Sequence, residues 1–184
     1  MMRWLFIVVI GLAGCAAQHQ AGEVPGRLRY YPLLLPSSYG GMLILEQLIE
    51  GWAKGEHFQL HLQLEIDPEQ IRVVGFTAFR TKAFALRYDG RTIDFENFTD
   101  RRMPFPPAMI LSDIQKVLWP KLPDREAWHI VDDPAAKVRL VFFDGQLMTR
   151  IQYHGGFPTA GDTELSDLQY GYQLYMRSLN SWGG

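Results

Sequence analysis

The chain has 184 residues, with 18 Lys and Arg against 20 Asp and Glu and a formal net charge of −2 when His is neutral. A hydrophobic content of 47% and an aromatic content of 13% exclude a disordered chain, and this length suits a single domain with its own core. No cluster of Lys and Arg stands out, which argues against a nucleic-acid partner, because phosphate binding rests on such clusters.

The first element is an export signal. Met1, Met2 and Arg3 form a short basic start, and Trp4 to Ala13 form an apolar run of ten residues. A membrane-spanning helix needs roughly 20 apolar residues to cross about 30 Å of hydrocarbon, so the run is too short to span and reads as a signal-peptide core. The sequence Leu12-Ala13-Gly14-Cys15 that follows resembles the lipobox of bacterial lipoproteins. That resemblance implies cleavage after residue 14, diacylation of Cys15 and acylation of the new amine. Cys15 is the single cysteine, so no intramolecular disulfide exists to claim it. Two or more acyl chains anchor a protein stably where one gives only marginal binding. In a Gram-negative cell, Ala16 in place of Asp after the lipidated cysteine implies sorting to the outer membrane, with the domain facing the periplasm. Residues 15–36 are read as the lipidated cysteine and a tether, and 37–184 as one domain.

Within that domain most segments alternate. Met42 to Trp52 suits a strand or a short helix, and the strand is favoured because Gly55-Glu56 would turn it into the next one. From His57 the alternation is strict: Phe58, Leu60, Leu62, Leu64 and Ile66 face one way, and His57, Gln59, His61, Gln63 and Glu65 the other. Asp67-Pro68 marks a turn into Gln70–Phe76. Lys82–Tyr88 and Thr92–Phe98 flank the hairpin signal Asp89-Gly90. Between Pro107 and Trp119, Met109, Ile110, Ile114, Val117 and Leu118 recur at helical spacing, with Pro106 and Pro107 at the start and Pro120 as the stop. Strands resume at Trp128–Val131 and Lys137–Phe143 around a turn at Asp132 to Pro134. Asp144-Gly145 then leads into Gln146–Tyr153. A glycine-rich loop spans Gly155 to Gly161, after which Leu168, Tyr170, Tyr172, Leu174 and Met176 alternate with polar neighbours as a last strand. The order is a meander of hairpins interrupted once by a helix at about 107–119. It predicts a mainly β fold (α+β) with a curved antiparallel sheet of eight or nine strands. Such a sheet either stays open around an apolar cavity or closes on a packed core.

Catalytic and metal chemistry find little support. His57, His61 and Glu65 would share a face of a helix, but on a strand positions four apart lie roughly 13 Å from each other, too far for one ion. Ser37, Ser38 and Ser112 sit in no Gly-x-Ser-x-Gly elbow, and Gly40-Gly41 and Gly155-Gly156 lack the helix and lysine of a phosphate loop. No cofactor, metal site or enzymatic activity is expected.

The runs Leu64-Glu65-Ile66-Asp67-Pro68, Val74-Gly75-Phe76-Thr77, Phe84-Ala85-Leu86-Arg87-Tyr88-Asp89-Gly90, Asp113-Ile114-Gln115 and Leu118-Trp119-Pro120 resemble the bacterial lipoproteins of the domain of unknown function family 3261. That family is similar in architecture to the lipoprotein carrier LolA and receptor LolB. The resemblance implies an open half-barrel with a helical plug holding acyl chains, and a setting beside lipid-synthesis genes, a LolA-like carrier and an exporter. The implied function is that of an outer-membrane lipoprotein binding or receiving an acyl lipid, lipoprotein acyl chains or a polyene lipid. The alternative is an assembly lipoprotein that binds a protein partner of an export system and carries no lipid. Phe58, Leu60, Leu62, Leu64, Phe84 and Leu86 are the candidate cavity residues. Phe79, between Ala78 and Arg80, is the candidate for a LolB-like exposed loop residue.

Overall fold

The computed structural model describes residues 29–53, 55–100, 103, 105–156 and 161–183. The expected signal peptide, Cys15 and the first part of the tether lie outside them. Ten strands and one α-helix follow: β1 (Leu43–Ala53), β2 (Glu56–Ile66), β3 (Ile71–Phe76), β4 (Lys82–Tyr88), β5 (Ile93–Asn97), α1 (Pro107–Leu118), β6 (Trp128–Asp133), β7 (Val138–Phe143), β8 (Gln146–Tyr153), β9 (Thr163–Asp167) and β10 (Tyr172–Gly183). All pairings are antiparallel, in the order β5-β4-β3-β2-β1-β10-β9-β8-β7-β6. The first and last strands thus meet in the centre, β5 and β6 form the edges, and the sheet is open. α1 contacts β5 at one edge and is hydrogen-bonded by Arg139 of β7 next to the other. A sheet that reaches one helix from both sides must curl around it.

The alternation read from the sequence is the burial pattern. On β2, Leu62, Leu64 and Ile66 are buried while His57, Gln59 and Gln63 are exposed. On β3 and β4, Ile71, Val73, Leu86 and Tyr88 join them on the inner face. One end of the concave face is solid core. There the segment Tyr31–Tyr39, including a 3₁₀ turn at Pro36–Tyr39, lies against α1. The Gln115 side chain accepts from Leu34 N (2.8 Å) and donates to Leu34 O (2.9 Å), pairing with the backbone as a neighbouring strand would. Ser38 Oγ accepts from Trp119 Nε1 (2.8 Å), and Tyr39 packs edge-on against that indole. Tyr31 and Leu34 are buried, so the stretch from residue 31 to 36 is part of the domain rather than of a tether.

Two further expectations are corrected. Leu168–Gly171 is a turn, not the start of the last strand, and it closes a hairpin between the unforeseen β9 and β10. Gly171 supplies its positive φ of 64°, and Asp167 Oδ1 accepts from Gln169 N and Tyr170 N, an Asx turn. Asp132 and Asp133 belong to β6, because Asp132 pairs in register with Arg139 of β7 and the turn begins only at Pro134.

Candidate functional site

Between the sheet and α1 lies a cavity of about 340 Å³, lined by none of residues 31–39. Its floor is the inner face of β1, β2, β4 and β10, and its roof is Ile110 and Ile114 of α1 with Met103 and Phe105 before the helix. The strand floor leaves room for a physical reason. Gly51 stands opposite Phe58 and Gly75 opposite Phe84 in the strand register. Each ring reaches over its glycine, so that a Cβ would come 2.0 Å from the Phe58 ring or 2.2 Å from the Phe84 ring. Two phenyl groups that would otherwise rise into the space instead pave it.

The wall is apolar with a few placed polar groups, the pattern of a small-molecule site. Gln47 points inward from β1 between Leu45 and Ile49, and Asp113 reaches in from α1. Glu56, His57, Thr77 and Thr99 also line the cavity, from the ends of the strands. Behind Asp113 lies a buried ionic network. Tyr172 Oη donates to Asp113 Oδ2 (2.6 Å), while Asp113 Oδ1 stands 2.8 Å from Lys116 Nζ as an ion pair rather than an aligned hydrogen bond. Lys116 Nζ donates to Thr149 Oγ1 (3.0 Å) and lies 3.9 Å from Asp167. Burial pushes the Asp167 carboxyl up, against the pull of Lys116. Burial, and then the charge of Asp113, pushes the Tyr172 hydroxyl far up, so it stays a donor.

Exposed aromatic residues neighbour the lining residues His57, Thr77 and Thr99. Trp52, on the outward phase of β1, tilts against His57 with ring centroids 4.9 Å apart, and Lys82 Nζ sits 4.8 Å over the Phe98 ring. Between β3 and β4 a tight turn is held by Thr77 N to Thr81 O (2.8 Å) and Arg80 N to Thr77 O (2.9 Å), with Arg80 at φ 58°. Phe79 projects from its tip, 91% exposed, two residues from the cavity-lining Thr77.

Of the residues singled out from the sequence, Phe58, Leu60, Leu62 and Phe84 line the cavity, whereas Leu64 and Leu86 lie deeper, in the solid core. Cys15 is outside the described residues. Sequence reasoning missed Gln47 and Asp113. Gln47 was detectable as a polar residue on the inner phase of Leu43, Leu45 and Ile49; Asp113 was detectable as a charge one residue before Ile114 in the helical stripe. Ser38 is engaged structurally, donating to Leu35 O (2.6 Å) while it receives the Trp119 indole.

No curated protein matches the sequence. Among solved structures, the chain is similar to a crystal structure from Vibrio parahaemolyticus, described as an outer membrane lipoprotein-sorting protein domain. The identity is 8% and the TM-score 0.43, over 78% of this chain and 85% of that one. The family model described as Protein of unknown function (DUF3261) matches residues 45–180, from β1 into β10, and the chain belongs to that family.

Proposed function

We propose that the protein is an outer-membrane lipoprotein, anchored through Cys15 and facing the periplasm, that receives a lipophilic cargo in the cavity between sheet and helix. The observation that carries this reading is the cavity itself. At about 340 Å³ it falls in the range of roughly 300–1,000 Å³ occupied by small-molecule sites, and its apolar lining suits a chain that gains about 0.8 kcal/mol for each buried methylene. Phe79 and Phe98, exposed beside the lining residues Thr77 and Thr99, give an approaching membrane or carrier an apolar contact near the cavity.

Uptake of the uncharged dye Nile red tests it. The unmodified cavity is expected to bind the dye with a fluorescence rise. Leu60→Trp, which adds an indole to the floor at a half-buried position, is expected to weaken that binding at least tenfold with the far-ultraviolet spectrum unchanged. Equal binding by both proteins would place the dye elsewhere and remove the support.

A second reading has its own observation. On the outer face Ile44 stands opposite Trp182 across β1 and β10, both exposed, with Met42 and Leu179 also exposed on these strands or beside them. Such a patch suits a protein partner of an export system. Absence of any dye uptake would favour it.

A further inference from the structure

Gln47 is 5% exposed and faces the cavity, yet among the described residues its side-chain amide forms no hydrogen bond. With no partner in the protein, the amide opens onto the cavity, where a ligand can take up its donor and acceptor. The two other polar groups of the inner wall differ. Asp113 has Tyr172 and Lys116, and the Lys116 ammonium is turned away toward Thr149 and Asp167. Among the described residues no Lys or Arg lines the cavity, while Asp113 and Glu56 bring two carboxylates to it. The space therefore offers a neutral hydrogen-bond donor and acceptor in apolar surroundings, and no cation to receive an anion.

We infer that Gln47 is the polar anchor of the cavity and selects a long acyl chain that carries an uncharged carbonyl, an amide or an ester, over a free fatty acid. The ligand carbonyl accepts from Gln47 Nε2 while its chain lies over Phe58 and Phe84, between the floor and the Ile110–Ile114 stripe. A carboxylate at the same place would lose its water without meeting a cation, because the Lys116 charge behind the wall is already paired with Asp113. This inference rests on the cargo reading above and narrows it.

The test uses the full chain carrying Cys15→Ser, so that no acyl group of its own competes, and measures displacement of Nile red at pH 7.5 by oleamide, methyl oleate, oleate and 1-octadecene. The two neutral carbonyl probes are expected to bind about tenfold tighter than oleate or the hydrocarbon, the size of one added hydrogen bond. Gln47→Leu, of similar volume, is expected to erase the advantage of oleamide over 1-octadecene while leaving 1-octadecene binding in place. Oleate binding as tightly as oleamide in the unsubstituted cavity overturns the inference whether or not the variant folds, as does an unchanged oleamide advantage in Gln47→Leu. Equal displacement by all four probes removes the role of Gln47 and leaves the cargo reading standing. No displacement by any of them removes both.

Discussion

Arg139 shows how one side chain joins both halves of the molecule. It is fully buried on β7, donates to Asp132 through Nε (2.7 Å) and Nη2 (3.0 Å), and reaches the carbonyls of Lys116 (2.8 Å), Trp119 (2.9 Å) and Pro120 (3.4 Å). The last turn of a helix leaves carbonyls without intrahelical partners and a negative dipole end, and a guanidinium answers both. Tyr153 Oη adds a bond to Val117 O (2.9 Å). Arg139→Met keeps a similar stem but leaves these carbonyls and Asp132 without the cation. Its expected cost is about 2–4 kcal/mol, the scale of leaving buried carbonyls without a donor, read as a lower urea midpoint. An unchanged midpoint would mean that water replaces the guanidinium. Nothing near Arg139 in the sequence announces this role, because Val138-Arg139-Leu140-Val141 reads as any strand with one charge. The carbonyls it serves are 19 to 23 residues away.

At the scale of elements, α1 is held at its two faces by different means. Its buried side packs by shape, whereas Gln115 fixes the Tyr31–Tyr39 segment by paired hydrogen bonds to Leu34. Gln115→Leu removes both and strands a buried N–H and C=O. We expect a loss of about 2–4 kcal/mol and faster proteolysis within residues 31–39 than elsewhere; uniform protection would contradict the role given to this residue. The strands with wet outer faces were readable from alternation, and the helix from its stripe and flanking prolines. The hairpin β9–β10 was not, because Leu168, Tyr170 and Tyr172 continue the apolar phase of the true strand through a turn. The informative signals there were Asp167 and Gly171, residues whose backbone chemistry favours turns over strands. Tyr31 and Leu34 were hidden by prolines and glycines on either side, which read as tether although two of the residues among them are core.

On the scale of the whole molecule, a ten-stranded sheet longer than one short helix can cover leaves part of its concave face unfilled. The pairing of Phe58 and Phe84 with opposing glycines keeps that part clear. The lining by Phe58, Leu60, Leu62 and Phe84 was legible because strand alternation fixes the inward face. Which inward residues meet solid core, as Leu64 and Leu86 do, depends on where Tyr31–Tyr39 packs, and no local pattern encodes that. Solid packing around Leu64 and Leu86 and open space over Phe58 and Phe84 give the domain both a core and an apolar recess. The claim that this recess holds a lipophilic cargo is tested most directly by native mass spectrometry of the Cys15→Ser chain exported to the periplasm. The expected result is a bound mass of several hundred daltons that passes into organic solvent and is absent from Leu60→Trp. A clean unliganded mass, persisting after incubation with neutral acyl amides and esters, would contradict it.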